Sequence, residues 1–190
     1  MNLPDSALSK EARGILRRVA PPEILNHSVR IYLLGRAYAQ RKNIDYDEEG
    51  LYLAALFHDL GLCPAYKNGS RPFQINGSHA LQEFLVERHV PPERIPPLVE
   101  AIDFHMQLFP RWSKGNVAGL LQVGAWMDIT KLRRWVVKDQ VRAIEAEYPR
   151  LHLNRRFPRL VLDSIGGLHS CLGLLFPASF AGEPEVKERV

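Results

Sequence analysis

Three proline pairs, Pro21-Pro22, Pro91-Pro92 and Pro96-Pro97, punctuate a sequence whose apolar residues otherwise recur at helical spacing. Proline has a fixed φ and no N–H, so it fits the first turn of a helix and disrupts the interior of one. The first pair therefore ends one helix and opens the next. The other two bracket a short turn and start another. Ile24, His27, Ile31, Leu34 and Tyr38 share one face of a 3.6-residue period, which predicts a helix from Pro22 to Lys42. Asp5-Ser6 caps an earlier helix through Val19. Asp47 caps a third, DEEGLYLAALFHDLG, with Gly61 as its left-handed terminal residue. Further helices are predicted over about Gly77 to His89, around Val99, Ile102 and His105, over GNVAGLLQVGAWMDITKL, from about Lys138 to Tyr148 and from Pro158 to Cys171. Residues 63–76 and 109–116 are predicted to be loops. Strand signals are scarce: Asn76-Gly77 lacks the alternating apolar flanks of a hairpin. The expected fold is an all-α, single-domain helical bundle. Residues 1–20 form a helical extension, 21–172 the bundle and 173–190 a polar tail.

The chain has 190 residues, 46% hydrophobic and 24% charged, which is enough for one core and excludes disordered and fibrous classes. Its net charge of +4 is compatible with an anionic ligand but lacks the dense basic stripe of a nucleic-acid binder. Cys63 and Cys171 are too few for a disulfide framework or a cysteine-rich zinc site, so a reducing compartment is expected. The opening MNLPDSALSKEARGIL lacks the apolar stretch of a secretory signal, and no run is long enough to span a bilayer. The expectation is a cytoplasmic protein acting on a small molecule, with no nucleic-acid or membrane partner and with homo-oligomerisation left open.

The informative residues are polar ones on apolar faces, because a buried charge is costly unless paired or bound to metal. His58-Asp59 follows the run LYLAALF. His27 lies between Ile24 and Ile31. Asp128 follows GLLQVGAWM, in which Gly124 and Ala125 would let another helix approach closely. Each has a bland reading as a capping or core group. Together, three helices each bring an imidazole or carboxylate to an apolar face, and that donor set suits zinc, iron or manganese.

The order His27, then His58-Asp59, then Asp128 resembles the HD-domain metalloenzyme superfamily. A closer resemblance, over roughly residues 22–165, is to its cyanamide hydratase-like branch. It is carried by NHSxRxYxxG at Asn26 to Gly35, HDLGL at His58 to Leu62, RPFQINGSHALQEFL, AIxxH ending at His105, and YPRL at Tyr148 to Leu151. The resemblance implies one divalent ion, zinc above iron or manganese, held by His27, His58, Asp59 and Asp128. It also implies water activated for addition to a nitrile carbon. His105 would face the open position as a catalytic group, or else steady a ligand from behind. Gln74, Asn76 and His79 stand in a segment where the branch carries acids, as in FEVDGAD. Gln74 and His79 are expected at the substrate. His79 is otherwise a solvent-facing residue or a ligand of a second metal, the last favouring phosphoester hydrolysis or dinuclear iron oxygenase chemistry. The basic groups Lys131, Arg133, Arg134, Arg155, Arg156 and Arg159 are either a solvated face or the phosphate-binding rim that a phosphohydrolase needs.

Overall fold

A computed structural model describes residues 1–69 and 71–164. Among them there are eight α-helices and no strand: α1 (Ala7–Val19), α2 (Pro22–Lys42), α3 (Glu48–Phe57), α4 (Phe73–Glu87), α5 (Ile95–Phe104), α6 (Asn116–Thr130), α7 (Lys138–Glu147) and α8 (Leu153–Ser164). The expected domain end at residue 172, the tail at 173–190 and Cys171 lie outside the described residues.

Local chemistry fixes most boundaries as the sequence predicts. Ser6 caps α1, its Oγ accepting from the Ser9 N–H at 3.0 Å. Pro22 opens α2, which ends at Asn43 in the left-handed conformation (φ 52°). Asp47 caps α3, its Oδ1 accepting from the Gly50 N–H at 2.8 Å. The same carboxylate pairs with Arg94, which also reaches Glu49.

Three boundaries differ, one of them at α8, which starts at Leu153 and carries Pro158 inside it instead of starting at that proline. The third helix stops at Phe57, and a 3-10 turn follows over Leu60–Leu62. Gly61 is therefore not a left-handed cap. A Cβ there would sit 2.1 Å from the Phe73 carbonyl oxygen, so this glycine is needed for close approach instead. That approach involves α4, which begins at Phe73 directly after Pro72. Gln74 and Asn76 accordingly lie in its first turn rather than in a loop.

The core gathers Leu33, Leu34, Leu51, Leu53, Leu56, Leu81, Leu85, Leu120 and Leu121, all essentially without solvent contact. Helices α2 and α6 form its axis and run antiparallel. Gly35 meets the Leu120 carbonyl and Gly124 meets that of Ile31, where a Cβ on Gly124 would lie 2.4 Å from the oxygen. One further turn along, the same register brings His27 to Asp128. The small residue thus sets the spacing at which the polar pair meets.

Candidate metal centre

Four buried polar residues converge where α2, α3, α5 and α6 end or pack: His27, His58, Asp59 and His105. His27 lies on α2. His58 is the residue at which α3 ends, and Asp59 follows at φ −106°, ψ 9°, which turns its carboxylate back under the helix end. His105 ends α5.

Each imidazole has its Nδ1 tied to an acceptor. His27 Nδ1 donates to Asp128 Oδ2 at 2.6 Å, His58 Nδ1 to the Ala55 carbonyl at 2.8 Å, and His105 Nδ1 to the Ile102 carbonyl at 2.6 Å. A neutral ring that donates through Nδ1 presents a lone pair at Nε2. All three Nε2 atoms face one carboxylate: His58 and His27 lie 3.1 and 3.4 Å from Asp59 Oδ2, and His105 lies 3.9 Å from Oδ1. Neither Asp59 oxygen has a hydrogen-bond partner, nor does His105 Nε2. Lone pairs from three rings pointing at an unpartnered buried carboxylate repel unless a cation or protons lie between them. This donor set fits a divalent metal. His27, His58 and Asp59 are the one group of such side chains among the described residues close enough together to share an ion.

The electrostatics show that positive charge is favoured between the rings and Asp59, as protons where no ion is bound. Burial raises the pKa of Asp59, but the neighbouring His58 and His27 outweigh it and hold the carboxyl well below its usual range. Burial pushes His27 down, and the carboxylates of Asp128 and Asp59 more than reverse it. His105 moves the other way, down to about 4, through burial and then the charge of His58. It is a neutral base at pH 7. Cys63, next to the site in sequence, is pushed up to about 11 by burial and by Asp59, which disfavours a nucleophilic thiolate.

Asp128, the fourth expected ligand, is not in the group formed by His27, His58 and Asp59. It sits behind His27, on the ring nitrogen opposite the cluster. Arg30 explains why. This fully buried arginine is one turn from His27 and grips Asp128 twice, Nε to Oδ1 at 2.8 Å and Nη2 to Oδ2 at 2.7 Å. Arg150 adds a bond to Oδ1 at 2.9 Å and one to the Asp128 carbonyl at 2.7 Å. Burial raises the Asp128 pKa, but Arg30 and His27 overcome this and keep it ionised. Arg30 Nη1 in turn donates to the Tyr148 and Pro149 carbonyls, and Asn26 Nδ2 donates to that of Pro149. The NHSxR and YPRL segments are thereby one physical unit around Asp128.

Residues 24–122 match the family described as HD domain, more than half of the chain. The chain belongs to the HD-domain family. The match contains His27, His58, Asp59 and His105 and stops before Asp128. No curated protein matches the chain.

A cavity of about 120 Å³ opens from the HD cluster. His27, His58, Asp59 and His105 form its floor, and Met106, Ala125, Trp126, Ile129, Thr130 and Phe157 its walls. Gln74 and His79 are not among them. Gln74 is half-buried on α4, while His79 is exposed and accepts from Arg71 through Nδ1 at 3.0 Å. The cluster therefore does not include His79. The basic residues are also elsewhere: Arg134 is bound to the Met127 carbonyl and Glu145, and Arg156 to Glu23. Arg30, the arginine of NHSxR, carries a sequence signal for this role: a cation one turn from His27 on a helix facing an aspartate. The walls had none, because Trp126, Ile129 and Phe157 look like ordinary core residues until α8 is seen to close over α2.

Proposed function

We propose that this HD-domain protein is a metal-dependent hydratase or hydrolase of a small molecule, related in chemistry to cyanamide hydration. One observation carries the reading: three Nε2 lone pairs and an unpartnered carboxylate meet in one apolar pocket. His27, His58 and Asp59 would hold one divalent ion, zinc by the nitrogen-rich donor set, with iron or manganese as substitutes. Such an ion supplies Lewis-acid chemistry, lowering the pKa of water from ~15.7 toward ~7.

The chain's own residues do the rest. Asp128, clamped by Arg30, keeps the His27 proton on Nδ1 and its Nε2 free. The Ala55 and Ile102 carbonyls do the same for His58 and His105. His105, with an unpartnered Nε2 3.9 Å from Asp59 Oδ1, is positioned to accept the proton of an attacking water at that nitrogen. In the hydration of cyanamide a C–O bond forms at the nitrile carbon as one C–N π pair moves to nitrogen. That nitrogen takes a proton from the imidazolium, and proton transfer from oxygen to nitrogen completes urea. Apolar walls limit bulk water around the reacting atoms.

The phosphohydrolase reading lacks support, since no lysine or arginine lines the cavity among the described residues. The dinuclear reading needs a histidine where His79 is not. The test is metal analysis of protein purified without a chelating tag, followed by urea formation from cyanamide alongside phosphate release from phosphomonoesters. One equivalent of metal with metal-dependent urea formation supports the reading. Phosphate release without urea would reverse it.

A further inference from the structure

We infer that the site selects an uncharged substrate with an apolar body, rather than a small polar one. This rests on the reading of the cluster as a hydrating or hydrolysing centre, and it narrows the substrate class.

The walls are Met106, Ala125, Trp126, Ile129, Phe157 and Thr130. The two wall residues with polar side-chain groups have already used them. The Thr130 hydroxyl donates to the Trp126 carbonyl at 2.7 Å and accepts from the Leu132 N–H at 3.2 Å. The Trp126 indole N–H donates to the Gln107 carbonyl at 3.1 Å. Apart from the HD cluster, no wall side chain among the described residues has a hydrogen-bond donor left for a polar substituent. A buried polar group without a replacement partner is penalised, and a charge more so. Four arginines of the surrounding helices are held by acids: Arg30 and Arg150 by Asp128, Arg134 by Glu145 and Arg156 by Glu23. At roughly 30 Å³ per water, the cavity of about 120 Å³ has room for about four waters, more than the three heavy atoms of cyanamide need. The surplus room is apolar. A flat or branched hydrocarbon body carrying one unsaturated reactive group at the floor fills it.

For a nitrile the reaction is R–C≡N plus water giving R–C(=O)NH2, with the same bond changes as for cyanamide. Metal-loaded protein is assayed with benzonitrile, cyanamide and 4-cyanobenzoate. In parallel, equilibrium binding of benzamide, urea and 4-carboxybenzamide is measured by titration calorimetry. The expected result is at least tenfold higher kcat/KM for benzonitrile than for the other two, and at least tenfold tighter binding of benzamide than of urea. Ile129→Arg, at a partly exposed wall position, should weaken benzamide and tighten 4-carboxybenzamide with metal content unchanged. Absence of turnover on every nitrile would refute the reaction while the binding series still decides the substrate class. Urea binding as tightly as benzamide, or wild-type protein binding 4-carboxybenzamide as tightly as benzamide, would overturn the inference.

Discussion

Asp128→Asn separates the carboxylate's two duties. The side chain keeps its shape, but the charge facing Arg30 is lost and Arg30 is fully buried. Breaking a buried ion pair by removing one partner costs about 3–5 kcal/mol, because the survivor stays desolvated and unpaired. The upper part of that range should apply here, since the Asp128 carboxylate accepts from Arg30 twice, Arg150 once and His27 once. At about 2–4 °C per kcal/mol for a chain of this size, about 4–5 kcal/mol should lower the melting point of the metal-free protein by about 8–20 °C. Independently, His27 loses the anion that orients its ring, which typically weakens metal binding about 10–100-fold. Melting of chelator-treated protein measures the first effect, and competition with a chromophoric chelator the second. The double variant Arg30→Met with Asp128→Leu distinguishes them. Replacing a buried pair by apolar residues of similar size is often neutral, so stability should largely return. Metal affinity should not return, because His27 Nδ1 still lacks its acceptor. An Asp128→Asn protein that melts within 2 °C of wild type and binds metal within twofold would refute this account of Asp128.

Three further outcomes follow from the same geometry. His58→Ala should abolish stoichiometric metal binding, so that chelator lowers the melting point of wild type but not of the variant; metal at 100 times its Kd is worth about 2.7 kcal/mol. His105→Ala should retain metal, by elemental analysis, while kcat falls ~10²–10⁴, the usual worth of a general base; loss of metal in that variant would make His105 a ligand instead. Asp47→Ala should cost about 1 kcal/mol at pH 7 in urea unfolding, through loss of the α3 cap. The Asp47 pKa is pulled below its ordinary value by Arg94 and the Gly50 N–H against the opposing effect of burial. Its contribution is therefore present above the ordinary carboxyl pKa and fades as pH falls through the lowered one. The gap between wild type and Asp47→Ala should narrow toward pH 2.

Helix-scale features were legible because they depend on residues close in sequence. The proline pairs, the Ser6 and Asp47 caps and the apolar spacing of α2 all act within a few residues. Gly61 was misread for the complementary reason: it looked like a helix end, whereas the Phe73 carbonyl, a through-space neighbour, is what requires it. His27, His58 and Asp59 were recognisable as polar groups on apolar faces, and the structure brings those three together. Gln74 and His79 were placed at the substrate on the strength of a loop motif. With α4 beginning at Phe73, the segment is helical from that point, and His79 faces outward to Arg71.

Asp128 shows the remaining limit most clearly. Periodicity identifies the face on which a residue lies, but not its depth along the facing helix. The antiparallel register of α2 and α6, set where Gly124 meets Ile31, places Asp128 level with both His27 and Arg30. At that level the carboxylate is offered a bidentate guanidinium and an imidazole N–H before it can reach an ion on the other side of the ring. Had residue 30 been apolar, the same aspartate would lack its main partner and the pressure to turn toward the cluster would rise. The identity of one residue, a turn away from the first histidine, thus decides which partners the last acid of the motif meets.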